Sequence, residues 1–286
     1  MLACPVSEKD NKLSSPESPP IVTKEEKKRV KERSAIGANI VYEAIRLEGE
    51  EELVRPASAL AWSALAAGLS MGFSFIAESL LETYLPDAPW RPLISKFGYS
   101  VGFLIVVLGR QQLFTENTLT VILPLLLHKN AVTFLRVLRL WGIVLFFNAA
   151  GTLLFAYFCA YVHFFNPQVR GTFYAIGAAH LGAGFGIAFA RAIFAGWLIA
   201  LMVWLLPAAE SSRVTVIILL TYLIGLGGFG HIIAGSTTVF YLVALHQLSW
   251  PGYFQHFFFP TLLGNIVGGV SLVAALGHAQ VVAGKE

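Results

Sequence analysis

The stretch Gly109-Arg110-Gln111-Gln112-Leu113-Phe114-Thr115-Glu116-Asn117-Thr118 interrupts a long apolar run that begins near Leu93 and resumes at Leu119. A bilayer core holds no water to satisfy bare backbone amides, so irregular polar backbone survives at that depth only inside protein or beside a cavity. A second interruption, Gly227-Gly228-Phe229-Gly230-His231-Ile232-Ile233-Ala234-Gly235-Ser236-Thr237, follows about 120 residues later between apolar flanks. Two broken helices in matching positions indicate a translocation site. The pattern therefore predicts a channel or transporter.

The composition is that of an integral membrane protein. Hydrophobic residues make up 56% of the 286 residues and charged residues only 13%, and the mean hydropathy is +0.67. These values exclude an ordinary soluble domain. Cys4 lies in a polar tail and Cys159 in an apolar span, so we expect neither a disulfide framework nor a metal site. We also expect no cofactor and no nucleic-acid partner.

The hydrophobic pattern divides the chain into three parts. Residues 1–34 are rich in Pro, Ser and Lys, which predicts a disordered cytoplasmic tail. Residues 35–54 place apolar side chains at helical spacing among Glu and Arg, which predicts an amphipathic helix on the membrane surface. Residues 55–286 form the transmembrane domain. Its six predicted spans lie at about 57–81, 93–128, 133–164, 175–206, 213–247 and 256–282, each sufficient for a hydrocarbon core of about 30 Å.

The distribution of basic residues predicts the orientation of the chain. They are concentrated before the first span, between Lys24 and Arg33, and around the connection from the second span to the third, at Lys129, Arg136 and Arg139. The connections on the opposite side carry fewer basic residues. Because positive loops stay inside, we expect both termini in the cytoplasm.

The two halves of the domain repeat. Aligning Gly109 with Gly228 brings the breaks together, and Asn148-Ala-Ala-Gly151 then matches Asn265-Ile-Val-Gly268 at nearly the same offset. Each repeat, about 55–165 and 170–282, holds three spans, so the second must be inverted relative to the first. The predicted fold is an all-α membrane bundle of two inverted three-helix repeats, in which the second and fifth helices are broken.

The chemistry of the two breaks suits an anion and a proton. The half-helices that restart at Thr115 and near Ile232 aim their partly positive N-termini at the midplane, where they attract an anion. His231 is ionisable inside a span and titrates near neutrality, so it can hand a proton to a weak-acid anion. Thr115 could hydrogen-bond the ring and fix its tautomer. The alternative is that the breaks only kink closely packed helices and that a neighbouring helix satisfies the histidine.

These residues resemble the formate–nitrite transporter family over residues 36–282. The resemblance is carried by Leu113-Phe-Thr115, Gly228-Phe-Gly-His231, Asn148-x-x-Gly151 and Pro260-Thr-Leu-Leu-Gly-Asn-Ile-Val-Gly-Gly269. It implies an aquaporin-like protomer of six spans with its own pore, assembled as a homopentamer in the bilayer of a bacterial inner membrane. It further implies transport of small monovalent anions such as formate, nitrite, hydrosulfide and lactate, often together with a proton.

Carried over by position, the resemblance makes Thr115 and His231 the central pair of the pore. It also implies a hydrophobic constriction with two contributions from the first break and three from the neighbouring helices. The residues of this constriction are Leu113, Phe114, Tyr99, Phe103 and Ile224.

The first break departs from the family pattern. Small and acidic residues usually precede Leu-Phe-Thr and a small residue follows it, whereas this chain has Arg110, Gln111 and Gln112 before it and Glu116 after it. A buried arginine needs a partner, so we expect Arg110 or Arg191 to pair with Glu116. The pair would either alter selectivity or brace the loop.

The fourth span departs as well. Gly196 stands where the family usually has an asparagine that joins the threonine–histidine network, and His180 and Arg191 add polar groups nearby. They are further candidates for selectivity residues.

Three other functions are open to the same sequence. A neutral-solute pore of aquaporin type would carry Asn-Pro-Ala in each break, and neither break contains it. A membrane hydrolase would use Ser236 with His231, but no nucleophile-elbow pattern surrounds Ser236. A non-conducting membrane scaffold or sensor is the third, favoured only by the substituted first break.

Overall fold

The structure is a computed structural model that describes residues 37–272. The predicted tail of residues 1–34, the first two residues of the predicted surface helix and the end of the predicted sixth span, from residue 273, lie outside the described residues.

Within residues 37–272 all regular elements are helical, and the chain forms two halves with the same order of helices. The first half contains α1 (Ala38–Val54), α2 (Ala57–Tyr84), α3 (Arg91–Ser95) with a 3-10 turn (Lys96–Tyr99), α4 (Ser100–Leu108), α5 (Phe114–Thr120), α6 (Ile122–His128) and α7 (Ala131–Tyr161). The second contains α8 (Pro167–Ala179), α9 (Phe185–Leu205) with a 3-10 turn (Leu206–Ala208), α10 (Arg213–Leu226), α11 (Ile232–Ala244), α12 (Trp250–Tyr253), a π-helical segment (Phe254–Phe258) and α13 (Phe259–Leu272).

Four helical segments of the described chain are long and apolar enough to cross a bilayer by themselves. They are Ala57–Tyr84, Arg91–Leu108, Ala131–Tyr161 and Phe185–Ala208. The fifth predicted span is divided at its break into two shorter apolar helices, Arg213–Leu226 and Ile232–Ala244. The described part of the sixth ends at residue 272. The fifth span therefore consists of two short helices joined by irregular backbone.

The prediction for the fourth span is wrong at its first residues. Helix α8 ends at Ala179 and α9 begins only at Phe185, so the predicted run from residue 175 joins parts of two helices. The error arose because the connection contains no charged residue and therefore does not interrupt the apolar run. Helix α8 corresponds to α1: each precedes the long helix of its half and packs against the broken span of that half.

Helix α1 packs against the bundle through one face. Its buried residues, Val41, Ile45, Gly49 and Leu53, recur every fourth position. A Cβ on Gly49 would lie 2.1 Å from the Thr120 carbonyl oxygen, so this glycine permits direct backbone contact with the first broken span. The predicted surface helix is thus a wall of the bundle.

The long helices of each half pack closely through glycines. Helix α2 packs along α7 in the first half, and α9 packs along α13 in the second. A Cβ on Gly68 would lie 2.3 Å from the Asn148 carbonyl oxygen, and a Cβ on Gly196 would lie 2.3 Å from that of Asn265. Small residues allow this approach, which is how apolar helices associate in lipid. Gly151 and Gly268 lie in the same two crossings, facing α2 and α9.

The two breaks follow the same backbone path. Arg110 (φ 50°) and Gly228 (φ 60°) both adopt the left-handed conformation after the last helical turn. The next amides then reach back to equivalent carbonyls, Gln111 N–H to Val106 O at 2.9 Å and Phe229 N–H to Ile224 O at 3.0 Å. Bonds of this kind satisfy the last carbonyls of a helix.

This backbone match corrects the predicted alignment of the repeats by one residue. Arg110, not Gly109, corresponds to Gly228. Leu113 therefore occupies in the first break the place that His231 occupies in the second. The prediction was wrong because both breaks begin with a glycine, and the sequence does not show which residue is left-handed.

A candidate pore with a central threonine–histidine pair

Two asparagines hold the breaks open. In the first, Asn148 Oδ1 accepts a hydrogen bond from Phe114 N–H at 2.9 Å. Its Nδ2 donates to the carbonyls of Gln112 at 2.9 Å and Ala64 at 2.7 Å. One amide thus satisfies a donor and an acceptor that the break leaves bare and ties them to α2. Unsatisfied backbone groups at this depth would cost several kcal/mol each.

Asn265 repeats this arrangement in the second half. Its Oδ1 accepts from Ile232 N–H at 2.8 Å, and its Nδ2 donates to the carbonyls of Gly230 and Ala192, both at 2.8 Å. Helix α9 takes the role that α2 has in the first half. The two inverted repeats therefore support their broken helices with the same side-chain chemistry.

Thr115 and His231, the predicted central pair, are in contact. Thr115 Oγ1 lies 2.7 Å from His231 Nε2, and both residues are 0% exposed. Ala234 N–H donates to His231 Nδ1 at 3.2 Å, so this nitrogen presents its lone pair. The contacts are satisfied by a neutral imidazole that carries its proton on Nε2 and donates it to the threonine hydroxyl. The histidine also caps α11.

Aromatic and aliphatic side chains from α4 and α10 cover the pair on one side. The ring of Phe103 packs edge-on against the His231 ring, with centroids 5.0 Å apart. Tyr99 lies next to Phe103 at 5.4 Å, and Ile224 is fully buried close to the second break. Leu113 is also fully buried. Phe103, Leu113 and Ile224 belong to one buried hydrophobic cluster, and its Phe103 contacts the central pair.

Two cavities approach the central pair from opposite ends of the same helices. The α8-side vestibule, of about 470 Å³, is lined by residues from α2, α8, α9 and the second break, and it includes Tyr99. The α1-side vestibule, of about 460 Å³, is lined by α1, the first break and the end of α4, including Leu108. Tyr99 and Leu108 are separated by roughly 14 Å along the helix. Neither cavity is lined by Thr115 or His231. The pair therefore lies in the packed region between the two vestibules, which we call the closed section.

The α8-side vestibule contains an unneutralised cation. Buried Glu78 pairs with Lys96. Arg191 lines the cavity and has no hydrogen-bond or ion-pair partner among the described residues. The ring of His180 also faces the cavity and packs on Phe257 at 5.6 Å.

In the α1-side vestibule the charged residues pair differently from the prediction. Arg110 pairs with Glu48 at 3.0 Å, and Arg55 pairs with Glu52 at 3.0 Å. Glu116 also lines this vestibule, and its Oε1 is buried without a hydrogen-bond partner. The expected ion pair between Glu116 and Arg110 or Arg191 is therefore wrong.

The physical reason lies in α1 and in the orientation of the arginines. Helix α1 packs over the first break and brings Glu48 to Arg110. Arg191 lines the opposite vestibule. No short-range pattern in the sequence connects Glu48 with a residue in the first break, so this partner was missed.

Gly196 and Phe114 line neither vestibule and pack against neighbouring helices. Gly196 is at the crossing of α9 and α13, where its absent side chain makes room for the backbone of Asn265. It does not extend the threonine–histidine network. Phe114 packs edge-on against Trp141 of α7, with centroids 5.8 Å apart. Both residues therefore support the breaks from outside the cavities.

Ser236 is not arranged as a nucleophile. Its hydroxyl donates to the Ile232 carbonyl and is within 2.9 Å of the Tyr253 hydroxyl. Neither contact is with His231, whose ring nitrogens bond to Thr115 and to Ala234. The serine serves to join α11 to α12.

Comparisons with known proteins agree with this architecture. The family described as Formate/nitrite transporter matches residues 39–279. The inner membrane protein YfdC of Escherichia coli (strain K12) is 43% identical over 266 residues, which cover 91% of this chain and 86% of YfdC. The formate channel BtFdhC of Bacillus thuringiensis is 24% identical over 247 residues, covering 82% of this chain and 90% of that protein.

A solved structure shares the fold. The pentameric formate channel with formate bound superposes with a TM-score of 0.67 at 23% identity, covering 80% of this chain and 98% of that channel. The aquaporin-like membrane fold and the place among transport proteins, rather than enzymes, follow from these matches. The chain belongs to the formate/nitrite transporter family.

Proposed function

We propose that this chain is a channel or proton-coupled transporter for small monovalent weak-acid anions of the formate and nitrite class. Each protomer of a homopentamer would hold one pathway, and both termini would lie on the cytoplasmic side of a bacterial inner membrane. The single observation that carries the proposal is the buried contact between Thr115 and His231 in the closed section between two vestibules. The names of BtFdhC and of the pentameric formate channel support the substrate class and the assembly.

Anions are attracted before they lose their water. Arg191 supplies positive charge in the α8-side vestibule, without a carboxylate to neutralise it among the described residues. Closer to the centre, the side-chain oxygens of Asn148 and Asn265 accept hydrogen bonds from the first N–H group of each restarting half-helix. The second amides, of Thr115 and Ile233, have no acceptor among the described residues. With the partly positive helix ends they favour an anion at the central pair.

His231 then provides the proton. The central pair is fully buried and Phe103 packs against its histidine. An ion crosses such a buried section at far greater cost than a neutral molecule. An anion that receives a proton at the histidine can therefore pass as the neutral acid. Because the ring is neutral in the contacts described above, vestibule water first protonates it, and the imidazolium then gives one proton to the anion and returns to the neutral form.

Protonation is coupled to movement of the second break. Nδ1 accepts a hydrogen bond from Ala234 N–H at 3.2 Å. A proton on Nδ1 would set two donors against each other, so the charged ring requires the first turn of α11 to shift. Protonation of His231 therefore displaces the first turn of α11 and weakens the packing of the closed section.

The proposal is tested by uptake of radiolabelled formate, nitrite and acetate into proteoliposomes, with and without a pH gradient. We expect an inward proton gradient to accelerate uptake of at least one anion. Thr115→Val, which keeps the shape of the side chain but removes its hydroxyl, should reduce that uptake by about tenfold or more. An uptake rate that does not change with the pH gradient would contradict the proposed proton transfer. Glycerol or water flux without anion flux would favour the neutral-solute pore, and no flux at all would favour a scaffold or sensor.

A further inference from the structure

The α1-side vestibule has acceptors that lack donors. Glu116 Oε1 and Gln111 Oε1 both belong to residues that line this cavity. Each oxygen is buried and has no hydrogen-bond partner. A buried acceptor without a donor is unfavourable, and more so when it is charged. Two such oxygens on the wall of one cavity indicate a ligand that brings a hydrogen-bond donor.

The inverted repeat shows that these acceptors are specific to one end of the pathway. In the corrected register Glu116 corresponds to Ala234 and Gln111 to Phe229. Both counterparts line the α8-side vestibule, at equivalent places, and both are apolar. The fold itself therefore does not require a carboxyl group at this position.

The other charges around Glu116 do not neutralise it. The remaining charged residues of the vestibule come from α1, the first break and the start of α10: Glu48, Glu52, Arg55, Arg110 and Arg213. Two of the arginines are held by glutamates of α1, in the pairs Arg110–Glu48 and Arg55–Glu52. Within 4.0 Å no ion pair joins Glu116 to any of the described cations.

We propose that Glu116 is the proton acceptor of the α1-side vestibule, which deprotonates the neutral acid after it has crossed the closed section. This rests on the proposed function, because it requires that a neutral acid arrives. The O–H of the acid donates to the Glu116 carboxylate, the proton moves to the glutamate oxygen, and the free anion leaves through the vestibule. Vestibule water then takes the proton from Glu116. In the opposite direction Glu116 gives the proton to the entering anion.

The test is isotope exchange of formate in proteoliposomes that have the same pH on both sides, measured from about pH 5 to about pH 8. We expect Glu116→Gln, which keeps size and loses the proton site, to slow exchange roughly a hundredfold near neutrality, the lower range of a positioned acid–base group. The difference should narrow towards acid pH, where less of the carried acid has to release its proton. Infrared spectroscopy should also show a protonated carboxyl band on acidification that Glu116→Gln lacks.

The matched control is Glu52→Gln, which removes one negative charge from the same vestibule but from a carboxylate already held by Arg55. It should keep the pH profile of the unmodified protein. If Glu52→Gln slowed formate exchange as much as Glu116→Gln, the inference would be overturned, because the slower exchange would then reflect the total negative charge of the vestibule and not a proton site at Glu116.

The outcomes separate this inference from the proposed function. No exchange by the unmodified protein counts against the proposed function. Active unmodified protein together with an unchanged rate and pH profile in Glu116→Gln counts only against the role of Glu116. If Glu116→Gln does not assemble, the pH profile of formate exchange is measured on Glu116→Asp instead, because this variant keeps a carboxyl group. Exchange with the pH profile of the unmodified protein supports the carboxyl group, and exchange that no longer depends on pH contradicts it.

Discussion

Replacing Asn265 by Leu should destabilise the protein by a predictable amount. The asparagine amide satisfies Ile232 N–H and the Gly230 carbonyl, both of which belong to the second break and have no partner within a helix. The third contact is with the Ala192 carbonyl, within α9, which keeps a helical bond of its own. The substitution therefore leaves two buried backbone groups unsatisfied.

The expected cost follows from those two groups. Each buried group that loses its partner costs about 1–3 kcal/mol, so Asn265→Leu should lower the free energy of unfolding by about 2–6 kcal/mol. The inverted repeat adds a second expectation. Asn148→Leu strips Phe114 N–H and the Gln112 carbonyl in the same way, and its cost should fall in the same range.

The assay is equilibrium unfolding of the purified protein in mixed micelles, followed by circular dichroism. Val267→Leu, on the exposed side of the same helix, removes no hydrogen bond and should change stability by only about 0.5 kcal/mol. A loss below about 1 kcal/mol in both asparagine variants would contradict the reasoning, because the breaks would then find other partners.

Three further predictions concern the breaks, the helix crossing and the vestibule. Gly228→Ala places a side chain in the left-handed region, with no steric neighbour within 4 Å, and should lower the free energy of unfolding by about 1–2 kcal/mol. The control Gly142→Ala, in open space on α7, should leave that free energy unchanged or raise it. Equal effects of the two substitutions would exclude backbone strain at Gly228. Gly196→Ala places a Cβ 2.3 Å from the Asn265 carbonyl oxygen and should cost about 1–3 kcal/mol, and an unchanged melting temperature would show that α9 and α13 separate easily. Arg191→Gln should raise the half-saturating anion concentration about threefold to tenfold at low salt and less at high salt; a salt-independent effect would exclude electrostatic attraction.

The sequence predicted the parts of the site that chain-local chemistry decides. Glycines and polar residues inside apolar runs located both breaks, and a histidine in the second break identified the residue that the structure places against Thr115 at 2.7 Å.

What the sequence did not predict depends on long-range packing. The place of α1 depends on the contact of Gly49 with Thr120, and the pair of Glu48 with Arg110 follows from it. The boundary between α8 and α9 was missed because the connection is nearly as apolar as the helices. Hydrophobic patterns do not distinguish a short helix and a turn from a longer span.

Proton-coupled formate uptake by His231→Phe, compared with the unmodified protein in the same proteoliposomes, tests the central claim most directly. Phenylalanine fills the space of the imidazole but neither bonds Thr115 nor carries a proton. We expect the variant to elute as the same oligomer as the unmodified protein and to lose uptake driven by a pH gradient. An assembled His231→Phe protein that still takes up formate in response to the gradient would contradict the proposed role of the histidine.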